Sequence, residues 1–211
     1  MSNFNIKIDY RYDTNGFFKD PVKKAVLESA ARVWESYIQD ELPNAPVGTQ
    51  ISFINPANGQ ATNFTLDSEV DDLVIFVGAR PLEGATLGMA GTAAISYSSN
   101  SAIASRDFGD FFAPVAGTIV FDNSANWFFD TTPDTTNDIP ARSTDFFSVA
   151  LHEIGHTLGL TFANESLISN GYFNGERAKA LNGGNPIPLD ETNGHIEQGF
   201  LLNGNGATDL M

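Results

Sequence analysis

"STDFFSVALHEIGHTLG", residues 143 to 159, is the stretch on which the reading turns. Ser143 or Thr144 caps a helix, Asp145 falls in its first turn, and Gly159 stops it. Phe146, Phe147, Val149, Leu151 and Leu158 supply apolar flanks. His152 and His156 are four residues apart, so both imidazoles share one face and can aim a ring nitrogen at one metal about 2.0–2.1 Å away. Glu153 lies about 100° round the helix, placed to reach a water on that metal rather than the metal itself. A carboxylate so placed can take a proton from a metal-activated water as it attacks a carbonyl, then hand it to the leaving group. The bland reading is a buried helix that holds two core histidines. Gly159 at its offset, the apolar flanks and a total of three histidines in the chain favour the metal.

Working outward, the upstream segments read as a sheet with one packing helix. Phe4, Ile6, Ile8, Tyr10 and Tyr12 alternate with polar residues at the period of a half-buried strand. Asp20 and Pro21 then open a helix whose Val22, Val26, Ala30, Val33, Trp34 and Tyr37 recur at helical spacing. "TQISFINP" (49 to 56) and "DDLVIFVGARP" (71 to 81) are strands, the second an unbroken apolar run of the kind covered on both faces. "GTAAISYSS" (91 to 99) and "GTIVFDNSANW" (117 to 127) are two more. Beyond residue 160, Gly and Asn dominate, and a short helix near 175 to 181 is the one regular element expected. The order of strand, helix, strands, helix predicts an α+β fold: a twisted, mainly parallel sheet with an antiparallel edge strand, a packing helix and the His-bearing helix. The chain, 1–211, reads as a single domain, with an upper lobe to about 159 and a lower lobe from about 160.

Composition excludes several alternatives. With 26 acidic and 11 basic residues the formal net charge is -15, which repels nucleic acid and anionic membrane surfaces. There is no cysteine, so a disulfide framework, a thiolate metal site and a cysteine nucleophile are excluded, and zinc would need His or carboxylate ligands. No apolar stretch is long enough to span a membrane, and no basic-then-apolar leader is present. A Cys-free, acidic chain rich in Asn, Gly and Asp is also the composition of bacterial proteins exported by a C-terminal signal, so a secreted, monomeric protein is expected. The acid-rich stretches "DFGD" (107 to 110) and "DTTPDTTND" (130 to 138) offer oxygens that suit Ca2+, though neither forms a recognised calcium loop.

A third ligand has two sources. His195 lies in "GHIEQGFLLNGNGATDLM", which closes on a Leu-Met pair. The carboxylate alternative is Glu176, with Glu165 and Asp190 behind it, as in thermolysin-like zinc sites. Three histidines would leave a fourth position open for water, as a hydrolytic zinc requires.

At His152, Glu153, His156, Gly159 and His195 the chain resembles the metzincin zinc metalloproteases, and among them a leishmanolysin-like or matrixin-like bacterial branch with a displaced third histidine. Position 162, where the long metzincin motif has its third histidine, is Phe162. In leishmanolysin-like proteases an insertion separates the short motif from a remote histidine that a Leu-Met turn follows. The resemblance implies His195 as third ligand and Met211 as the Met-turn residue beneath the metal. "APVAGTIVFDNSANW" (113 to 127) and "FNGERAKALNGGNPIPLDETNGH" (173 to 195) resemble segments of such chains. Absence of Cys departs from leishmanolysin itself, and metzincins continue into a closing helix where this sequence has Met211. The resemblance implies a zinc endopeptidase acting on proteins or peptides with Glu153 as general base. It also places the exposed edge strand for substrate at Gly91, Thr92, Ala93, Ala94 and Ile95, where an extended peptide adds itself through main-chain hydrogen bonds. The competing class is a binding or adhesion module that kept the fold without turnover. Glu153 is the residue such a module would be free to lose, and it is intact.

Overall fold

The computed structural model describes residues 4–96, 103, 106, 113–132, 138–160, 167–190 and 195–196. Two compact units divide the chain, Met1–Gly159 and Leu160–Met211. The first is built on a four-stranded sheet in the order β1 (Ile6–Asp9), β4 (Leu73–Arg80), β7 (Ala116–Asp122), β5 (Gly88–Thr92). β1, β4 and β7 run parallel, and β5 pairs antiparallel with β7 at the edge. The expected α+β architecture, a mainly parallel sheet with an antiparallel edge strand, is therefore present.

β4 and β7 are apolar along nearly their whole length because both faces are covered. On one face Leu73, Ile75, Val77, Ile119 and Phe121 join a core with Val26, Leu27, Ala30 and Ala31 of α1 (Pro21–Tyr37) and Phe146, Ala150 and Ile154 of α2 (Phe146–Thr157). On the other, Val74, Phe76 and Ala116 pack against Ile51 and Phe53 of β2 (Gln50–Ile54). β2 is the middle strand of a second sheet, with β3 (Ala61–Thr65) and β6 (Ala94–Ser96) antiparallel on either side.

α1 begins as the sequence predicts: Asp20 caps it by accepting from the Val22 N–H, with Pro21 following. Two residues expected on its buried face are exposed, Val22 at 46% and Tyr37 at 74%, because the stripe that meets the sheet is Val26, Leu27, Ala30 and Ala31. Trp34 keeps its place by donating its indole N–H to the Leu151 carbonyl of α2 at 2.9 Å.

α2 starts later than 143. Its cap is Asp145, whose carboxylate accepts from the Phe147 and Ser148 N–H groups at 3.1 and 3.0 Å, in place of Ser143 or Thr144. The physical reason is a competing use of the backbone: Thr144–Asp145 (β9) pairs parallel with Trp127–Phe128 (β8) before the helix opens. Phe146, fully buried, then enters a cluster of five rings, Phe17, Phe18, Phe121, Trp127 and Phe129. Gly159, with φ 96°, ends the helix as predicted.

The stretch 91 to 99 is not one strand. β5 ends at Thr92, Ala93 is buried at the break, and β6 leaves to pair with β2 in the other sheet. The antiparallel edge strand is accordingly Gly88–Thr92.

Helix-to-sheet spacing is tight at Gly117 on β7. A Cβ there would lie 2.7 Å from Thr157 Cβ and 2.8 Å from its Cγ2, atoms of a fully buried side chain whose hydroxyl donates to the Ile154 carbonyl. Nothing flexible can yield, so Gly117→Ala is expected to destabilise the protein by about 1–3 kcal/mol. The denaturation midpoint in urea checks this, and an unchanged midpoint would refute the account.

The second unit holds three short strands, β10 (Ile168–Ser169), β11 (Tyr172–Phe173) and β12 (Ile187–Pro188), and the helix α3 (Glu176–Leu181). The helix near 175 to 181 was expected, whereas the two-residue strands were not. Among the described residues no helix is long and apolar enough to cross a membrane.

Candidate metal centre

His152 and His156 are half-buried on α2, and the i, i+4 spacing brings their Nε2 atoms to 3.0 Å with the rings nearly perpendicular, at 85°. Two ring nitrogens this close repel as bare lone pairs, so they share a proton or a cation. The helix is held against movement at this point by the Trp34 bond to Leu151 and by the fully buried Ala150 and Ile154.

Glu153 lies between the histidines in sequence and faces the sheet. It is 5% exposed, and burial pushes its carboxyl up to about 7. Gly88 on β5 stands opposite it: a Cβ at residue 88 would stand 2.5 Å from Glu153 Oε1. Sequence reading missed Gly88 because it began that strand at 91. No local signal marks it out, because small residues fill nearly every position from 88 to 94.

His195 is half-buried. Its carbonyl accepts from the Asp190 N–H at 2.8 Å, and the adjoining Ile196 bridges to Leu189. Within the first unit, His152 and His156 are the pair of imidazoles brought together with ring nitrogens in reach of one metal ion. The donor chemistry fits zinc: imidazole nitrogens suit it, and no thiol competes.

Of the other expected residues, Glu176 opens α3 and is exposed, and Asp190 is half-buried. Met211, Phe162 and Glu165 lie outside the described residues, as do the stretches 107–110 and 133–137 considered for calcium. At the ends of the second stretch, Asp130 accepts from the Thr132 N–H and Thr132 donates its hydroxyl to Asp138. Gly91 and Thr92 are on β5, Ala93 at the break, and Ala94 and Ile95 on β6.

No curated protein and no solved structure matches the chain. Residues 102–182 match the family model described as Matrixin, a span that contains His152, Glu153 and His156 and stops before His195. The match covers less than half of the chain and supports a metzincin-type family, whose members are zinc metallopeptidases.

Proposed function

We propose that the protein is a zinc-dependent endopeptidase in which His152, His156 and His195 hold the metal, Glu153 is the general base, and residues 1–211 act as one catalytic domain. The observation that carries this reading is the meeting of the His152 and His156 Nε2 atoms at 3.0 Å on the helix that also bears a buried carboxylate. His195, the one remaining histidine of the chain and followed by a closing Leu-Met pair, is the displaced third ligand of a leishmanolysin-like arrangement.

When bound there, zinc supplies Lewis acidity, which makes a water more acidic and polarises a carbonyl oxygen. The protein's own part is proton handling and alignment. Glu153 takes a proton from the attacking water and returns it to the amine nitrogen as the peptide bond breaks. An extended peptide is held by main-chain hydrogen bonds along β5, which ends its sheet, so the substrate edge runs from Gly88 to Thr92 and uses Gly91 and Thr92 of the expected set.

Zinc stoichiometry measured beside casein cleavage tests the reading. One zinc ion per chain is expected, with cleavage that stops in chelator and returns on adding zinc. Undiminished cleavage in chelator, or zinc-loaded protein that leaves casein intact, would overturn it.

A further inference from the structure

We propose that Gly88 is a positioning residue for Glu153, its missing side chain being the space into which the carboxylate fits. This rests on the assignment of Glu153 as general base.

Glycine is not required at residue 88 by backbone conformation. Gly88 is absent from the glycines with positive φ, and it pairs with Phe121 in an ordinary antiparallel register. What excludes a side chain is distance: a Cβ would meet Glu153 Oε1 at 2.5 Å, Cδ at 2.8 Å and Cγ at 2.9 Å, each closer than real Cβ contacts. The strand cannot withdraw, because β7 holds it through the Gly88–Phe121 pair and through the Asp122 N–H, which donates to the Leu87 carbonyl at 2.8 Å. The helix cannot withdraw either, since Phe146, Ala150 and Ile154 are fully buried in the core beneath it. Between two fixed backbones, the end of the Glu153 side chain is the soft partner. A methyl group at residue 88 would displace the carboxylate while sparing both elements.

The contrast with Gly117 makes the point. There the obstructing atoms are the rigid, β-branched centre of Thr157, so stability should suffer. At Gly88 they are the far end of a flexible chain, so function should suffer first.

The experiment compares Gly88→Ala, Glu153→Ala and the double variant, reading zinc content, kcat and KM on a peptide, and the thermal midpoint. Gly88→Ala is expected to keep its zinc and lose about 100-fold in kcat, the scale of a 1 Å misplacement of a catalytic group, with KM within about threefold of the parent. In the double variant the methyl group has room, so adding Gly88→Ala to Glu153→Ala should cost far less than the roughly 100-fold that it costs in the parent. It should also raise the midpoint by a few °C, because glycine inside a strand is replaced without a clash; in the parent background the same change should not. If Gly88→Ala retains parental kcat while Glu153→Ala is inactive, Gly88 does not position the base, and the base assignment stands. If Glu153→Ala cleaves at the parental rate, the base assignment fails and this proposal fails with it. Equal midpoint shifts in both backgrounds would also overturn the proposal, since the methyl group would then not be contending with Glu153. Should Gly88→Ala fail to fold, a double variant that folds supports the shared space, and one that also fails to fold overturns it.

Discussion

Glu153→Gln is expected to lower kcat by about 10³–10⁴-fold while zinc stays bound and the fold stays intact, the upper range for loss of a general base. The reasoning starts with the amide's shape. Gln occupies the volume of Glu, so the narrow space opposite Gly88 stays filled as before. It also carries no charge, and burial already disfavours the charged form of Glu153, raising its carboxyl to about 7. Stability should therefore be kept, which separates a chemical loss from an unfolding loss. An amide cannot accept the water's proton at neutral pH. KM should change little, since peptide held along the β5 edge depends on main-chain bonds and not on residue 153. Steady-state kinetics with a zinc measurement on the same preparation decide the matter. A Glu153→Gln protein that cleaves within tenfold of the parent would show that the proton goes elsewhere.

How far the sequence could be read depended on what each residue pattern encodes. α2 was legible because two histidines four apart, an apolar face and a terminal glycine all point to one helix. Its start was misplaced because Ser143, Thr144 and Asp145 are all good caps, and local preference cannot foresee that residues 144–145 are taken up in pairing with Trp127–Phe128. β4 and β7 announced themselves as apolar runs, since a strand covered on both faces has no other way to read. β3 passed unread: "ATNFT" is polar and mostly exposed, and its apolar residue count is too low to show alternation. The turn before it, with Asn58 and a Gly59 at φ 74°, was a hairpin signal left unused. The break between β5 and β6 is invisible in "GMAGTAAIS", because small residues lie on both sides and the change of sheet is decided by long-range pairing with β7 and β2. Gly88 belongs to the same class of fact. Its importance is a distance to Glu153, 65 positions further along (153 minus 88), and no local pattern encodes that separation. The two-residue strands between 168 and 188 are shorter than any hydrophobic period, so no periodicity could have revealed them.

His195→Ala is expected to weaken zinc binding by more than about 100-fold, whereas Glu176→Ala should leave it unchanged. Removing a residue that only orients a ligand costs about 10–100-fold in affinity, and removing a ligand itself must exceed that. His152 and His156 alone offer two nitrogens, too few for a zinc site that keeps a water position, which needs three protein ligands. His195 has the right chemistry, a half-buried imidazole and the one histidine left in the chain. Glu176 is exposed on the first turn of α3, where most such glutamates are simply solvated. The long detour in sequence, 39 positions (195 minus 156), is no obstacle, because loop-closure entropy grows only with the logarithm of length and is small beside the free energy of binding a zinc ion. The folding consequence provides an independent readout. A ligand that binds the native state raises its stability in proportion to the logarithm of ligand concentration over Kd, so zinc should raise the thermal midpoint of the parent and of Glu176→Ala, and raise it much less in His195→Ala. Competition with a chromogenic chelator gives the affinity, and melting with and without zinc gives the stability. If His195→Ala held zinc as tightly as the parent and Glu176→Ala released it, the third ligand would be the carboxylate and the site would belong to the thermolysin-like class.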